Sequence, residues 1–175
     1  MVKLEIIDLQ EFYPINKSWV KRLLKAILKM EGKNAELNIV FVDNKRIKEI
    51  NKAFLGHNYA TDVLSFAYNE HFLSRNSLMP YSQCKTNHLI PSDEEKKNPL
   101  PEDTIIGEII ISVELAKKIA QKRRYEVEGE IALYLIHGLL HLLGYDDKQK
   151  KEAKEMHRRE KELLLNFGYS IPVPN

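Results

Sequence analysis

His137-Gly138-Leu139-Leu140-His141-Leu142-Leu143-Gly144-Tyr145-Asp146-Asp147 closes the most apolar segment of a 175-residue chain. From about Val127 to Leu143 that segment is apolar on nearly every side, the composition of a helix buried at the centre of a domain. Histidines four apart on a helix differ by about 40° in azimuth and one turn of rise, so His137 and His141 present both rings on one face. Gly144 takes a left-handed conformation without steric cost and reverses the chain. Three residues further on, Asp147 is then able to swing back towards the rings as a third metal ligand.

The resulting H-x3-H-x2-G-x2-D spacing parallels the zinc stretch of metzincin peptidases, with Gly138 in place of the glutamate and Asp147 in place of the last histidine. Carboxylate oxygen is an acceptable zinc ligand at ~2.0–2.2 Å, so three protein ligands and an open fourth position survive the change. Peptide hydrolysis at such a site uses the glutamate as general base, which disfavours a peptidase here. A purely structural reading makes both histidines satisfied core groups, Gly144 a plain C-cap, and Asp146 or Asp147 the N-cap of the next helix. Two polar rings inside an apolar helix then each cost ~1–3 kcal/mol if unsatisfied, and a shared cation resolves both. Zinc is the expected ion; two histidines and a carboxylate also suit Fe(II) or another divalent transition metal.

Working outward, Val2, Leu4 and Ile6 alternate with charged residues as in a half-buried strand, and a helix with Ser18 as its expected cap runs to Gly32. Leu37 to Val42, Val63 to Phe66 and Ile105 to Ile111 read as strands, with a short helix ending near Gly56. Ser112 is the cap of a helix running to about Arg123, and the last helix is expected from Asp146 or Asp147 to about Asn166. Residues 70 to 103 hold four of the seven prolines and no period, which predicts a mobile surface insertion. Its Cys84-x3-His88 pair reads as incidental. The order predicts a single α+β domain over residues 1–175, a small mixed sheet of about four strands packed around the buried metal-carrying helix, zincin-like.

The lone cysteine, Cys84, rules out an internal disulfide, the charged start fits no signal peptide, and the apolar Ile131–Tyr145 run is too short to span a bilayer. These features point to the cytoplasm and to no membrane role. With 27 Lys+Arg against 25 Asp+Glu the net charge is +2, so binding to nucleic acid has to come from local clustering. Lys122, Arg123 and Arg124 form such a cluster with no interleaved acid, just before the metal helix. The basic residues of the last helix are diluted by glutamates and read as a solvated face.

Four separated blocks resemble the YbeY-type rRNA maturation factors: His137 to Asp146, Asn51 with Thr61-Asp62-Val63-Leu64-Ser65-Phe66, Ile106 to Ser112, and Glu130. The resemblance implies a metal-dependent endoribonuclease acting on single-stranded RNA, with ribosomal RNA or the small ribosomal subunit as partner. It also exposes two departures. The family's third histidine is Asp147, and an arginine thought to assist catalysis is Leu55. His57, two residues on, is the nearest catalytic replacement for that cation, and Asp146 is expected to orient a histidine ligand from behind. Loss of the arginine also leaves room for a ribosome-associated RNA-binding module with a structural metal.

Overall fold

In the computed structural model, residues 1–68, 101 and 103–172 are described. The elements follow in the order β1 (Val2–Asp8), α1 (Lys17–Met30), β2 (Asn34–Val42), α2 (Asn44–Leu55), β3 (Val63–Ala67), β4 (Thr104–Ser112), α3 (Val113–Arg123), α4 (Val127–Leu142) and α5 (Lys150–Asn166). Nearly all of the expected insertion at 70–103, with Cys84 and His88, lies outside the described residues.

The strands form one sheet in the order β1-β2-β4-β3. β1, β2 and β4 are parallel, and β3 closes one edge antiparallel to β4. Strands buried on both faces read as continuous apolar runs rather than alternating ones. β2 obeys that rule: Leu37, Ile39 and Phe41 pack with α1 and α4, while Val40 and Val42 pack with α2. α4 buries twelve of its sixteen residues, which fits a helix enclosed by the sheet on one side and by α1, α3 and α5 around it. Each fully buried Leu or Ile of this layer contributes roughly 1.5–3 kcal/mol.

Two helix starts differ from expectation. Asn16, not Ser18, caps α1, its side chain accepting from the Trp19 amide at 3.0 Å; a cap must reach an amide two or three residues on, and Ser18 already lies in the first turn. α5 begins at Lys150 rather than at Asp146 or Asp147, and its N-cap Gln149 makes no side-chain bond. Both aspartates are engaged elsewhere, as described below.

Candidate metal centre

Gly138 fixes how closely α4 approaches the sheet. A Cβ there would lie 2.7 Å from Ile109 Cγ2 and 2.9 Å from Ser65 Oγ, and Ser65 already donates to the Gly138 carbonyl at 3.1 Å. A glutamate at this position would meet those atoms, so packing as well as sequence disfavours the metzincin arrangement here. Gly138→Ala is expected to cost about 1–3 kcal/mol in overpacking, partly offset by ~1 kcal/mol of helix propensity. A drop of a few degrees in thermal midpoint is the result that checks it.

His137 and His141, each half-buried, bring their Nε2 atoms to 3.0 Å from one another. The chain reverses at Gly144, whose φ is +96°, and returns Asp147 so that its Oδ2 stands 3.9 Å from His137 Nε2 and 3.8 Å from His141 Nε2. One ligand atom from each of the three residues falls within 4.8 Å of the others. Bonds of ~2.0–2.1 Å to a tetrahedral zinc would set ligand atoms ~3.3 Å apart, which these separations bracket.

The outer ring nitrogens decide what the inner ones can do. His141 Nδ1 faces the Tyr145 carbonyl at 3.1 Å, and a carbonyl only accepts, so the proton is on Nδ1. His137 Nδ1 lies 2.6 Å from Glu160 Oε1 and donates to that carboxylate. In the neutral rings both Nε2 lone pairs then converge, with a carboxylate oxygen beside them and no hydrogen to share. Three converging lone pairs are the donor set of a cation site. Burial pulls His137 down, but the hydrogen bond and charge of Glu160, helped by Asp62 and Asp147, outweigh it and leave His137 above the ordinary histidine value. The site favours positive charge at this point.

Glu160 was not singled out by the sequence. It is 1% exposed, and with Met156, Leu163 and Leu164 it forms the inward stripe of α5. A carboxylate in an otherwise apolar stripe at i, i+4, i+7 and i+8 was the available signal. Asp146, expected behind a histidine, does not take that place: its Oδ1 accepts from the Asp147 and Lys148 amides at 2.8 and 3.2 Å. Such a local turn is what a short acidic side chain makes with its own backbone, and it turns the Asp147 carboxylate to the rings.

A cavity of about 500 Å³ is lined by His137, Asp147 and Glu160, while His141 is not among its lining residues. Thr61 and Asp62, just before β3, line it too, as does Arg123 at the end of α3. Arg123 is the one lysine or arginine among the described lining residues. The neighbouring Tyr125 phenol, more than any other group, holds the Arg123 guanidinium above its ordinary value, and that phenol donates to the buried Glu130. Burial and the bond to Glu130 push the Tyr125 phenol up to about 12, so it keeps that proton near neutrality. Of its neighbours, Arg124 adopts a left-handed conformation that ends α3, and neither it nor Lys122 lines the cavity. His57 does not line it either: its ring is exposed and stacked on Tyr59.

The family profile described as Endoribonuclease YbeY matches residues 6–168. The chain belongs to this family. An Endoribonuclease YbeY of Brevibacillus brevis is 34% identical over 171 residues, covering 96% of this chain and 98% of that one. One of Alkaliphilus metalliredigens is 31% identical over 172 residues, covering 95% and 96%. A Thermotoga maritima protein solved in solution is 25% identical with a TM-score of 0.55, covering 94% of this chain and 87% of that one. The YbeY reaction is cleavage within an RNA chain, so RNA is the substrate. Leu55, where the resemblance implies an arginine, is 50% exposed at the end of α2 and carries no charge with which to bind phosphate. No described helix is long and apolar enough to cross a membrane.

Proposed function

We propose that the chain is a single metallohydrolase domain, cytoplasmic, that cleaves single-stranded RNA in the maturation of ribosomal RNA on or near the small subunit, with one zinc ion held by His137, His141 and Asp147. The observation that carries this reading is the convergence of two Nε2 lone pairs and a carboxylate oxygen on one point, with both Nδ1 protons already committed to acceptors. Zinc in a three-ligand site supplies an acidified water near neutral pH and polarisation of a phosphoryl oxygen. The chain does the rest. Glu160 and the Tyr145 carbonyl fix the orientation of the two rings, as acceptors behind metal-bound imidazoles do. Arg123, at the cavity, contacts the phosphate whose charge rises during cleavage, in place of the cation missing at Leu55. Lys122 and Arg124 add weaker backbone contacts outside it.

Protein stripped by a chelator is expected to lose cleavage of an unstructured RNA from a ribosomal precursor and to regain it with one equivalent of zinc, sparing a duplex of the same sequence. Activity that survives metal removal overturns the metal reading; equal cleavage of duplex and single strand overturns the substrate. Arg123→Gln is expected to weaken RNA binding and to lower the slope of log affinity against log salt by ~0.7, the value of one released counterion on a single strand. Arg124→Gln should stay within about twofold.

A further inference from the structure

The end of α2 and the loop after it place Phe54, Leu55, His57 and Tyr59 close together in the chain, and only Phe54 is drawn inward, packed on Phe66 with ring centroids 5.4 Å apart. Tyr59 is left 57% exposed. Its ring lies nearly parallel to that of His57, at 12° and 5.4 Å between centroids, with the phenol oxygen 3.4 Å from His57 Nδ1. The backbone beneath this pair is anchored. Buried Asn51 donates from Nδ2 to the Tyr59 carbonyl at 2.9 Å, and its own carbonyl accepts from the His57 amide at 3.3 Å. One buried residue therefore holds both ends of the turn, and rings carried on a fixed backbone lose less freedom on binding than rings on a loose one. Thr61, two residues beyond Tyr59, already lines the cavity, so at most about 7 Å of chain separates the aromatic pair from its wall.

The geometry points to a base-stacking subsite: Tyr59, backed by His57, receives one unpaired nucleobase of a strand whose neighbouring phosphate enters the cavity. The inference rests on the RNA-cleaving reading for its ligand and adds where a base is held. Aromatic faces accept any base, and stacking on them requires a base free of its own stack. A duplex keeps its bases stacked on each other and offers none, so the subsite selects single strands without reading sequence. Exposed Leu55 lies on the same turn and adds apolar contact that a charged side chain would not.

The probe is an unstructured RNA octamer carrying 2-aminopurine, whose fluorescence is quenched by stacking, mixed with zinc-loaded protein and read before the first turnover. Wild type is expected to quench it, and Tyr59→Ala to weaken binding on the order of 5- to 150-fold, with loss of the quench and an unchanged melting temperature. Tyr59→Phe should retain both, while Tyr59→Leu, apolar but without a π face, should lose the quench. In a scan of octamers each with one abasic position, one position should remove the difference between wild type and Tyr59→Ala. Equal binding and quench in Tyr59→Ala and His57→Ala overturn the subsite. So does a wild-type dimer in sedimentation that Tyr59→Ala converts to monomer, since the patch is then covered by a second copy. The binding arm needs no cleavage: a wild type that binds and quenches but never cuts sinks the nuclease reading alone, and one that cuts with Tyr59→Ala unaffected sinks this inference alone.

Discussion

His141→Ala is expected to yield a folded protein that carries no stoichiometric metal and cleaves RNA no faster than a blank. Three protein ligands are the minimum of the site, and removing one leaves a single imidazole and a carboxylate that is already well exposed. Lewis-acid catalysis is worth several kcal/mol of transition-state stabilisation, so the loss in rate exceeds about 10³-fold. The fold should survive because His141 is itself half-buried and the apolar residues of α4 still pack on every side. Elemental analysis, circular dichroism and a cleavage time course on one preparation check all three statements. Undiminished cleavage by this variant would place the activity at another site. Retained metal with cleavage gone would take His141 out of the ligand set and give it a direct part in the reaction.

Glu160 gives the second large effect, and here binding and rate should separate. Its Oε1 accepts from His137 Nδ1, and its Oε2 has no hydrogen-bond partner among the described residues. A buried carboxylate with a single partner, behind a ligand, acts through that ligand. Replacing such outer-shell acceptors weakens metal binding by about 10- to 100-fold. Glu160→Gln keeps an acceptor oxygen and the volume, so it should fall at the low end. Glu160→Ala also leaves the ring N–H unpaired, at ~1–3 kcal/mol, and should fall at the high end. Competition against a chelator of known affinity measures the loss. At saturating zinc, kcat should return to within a few-fold of wild type, because Glu160 positions a ligand and touches no reacting atom. A kcat that stays low with the site filled would make the carboxylate a participant in the reaction.

How far the sequence carries is clearest at the turn after α4. Two histidines one turn apart, a glycine and an acid are local facts, and local geometry alone brings His137, His141 and Asp147 together. The sequence reading gave Asp147 the ligand's place and Asp146 a place behind a histidine, although both sit in one turn and either chemistry suits both. In the structure Asp146 Oδ1 accepts from the Asp147 and Lys148 amides instead, a contact that spacing alone does not reveal. His57 was the nearest cation in sequence to Leu55, yet Arg123, 68 positions from Leu55, is the cation at the cavity. Nothing in local spacing encodes that approach.

By itself, the sequence determined the element order, the enclosed helix and the three converging side chains, because periods of two and 3.6, turn chemistry and an i, i+4 pair act over one or two turns of chain. Only the tertiary structure decided that Glu160 stands behind His137, that Gly138 is a contact with Ile109 and Ser65 rather than a missing base, and that Arg123 shares a cavity with Thr61 and Asp62. Those pairings join helices and strands whose separation in sequence carries no periodic signal. They exist because burying the apolar faces of α3, α4 and α5 against the sheet leaves the polar residues at the seams facing one another.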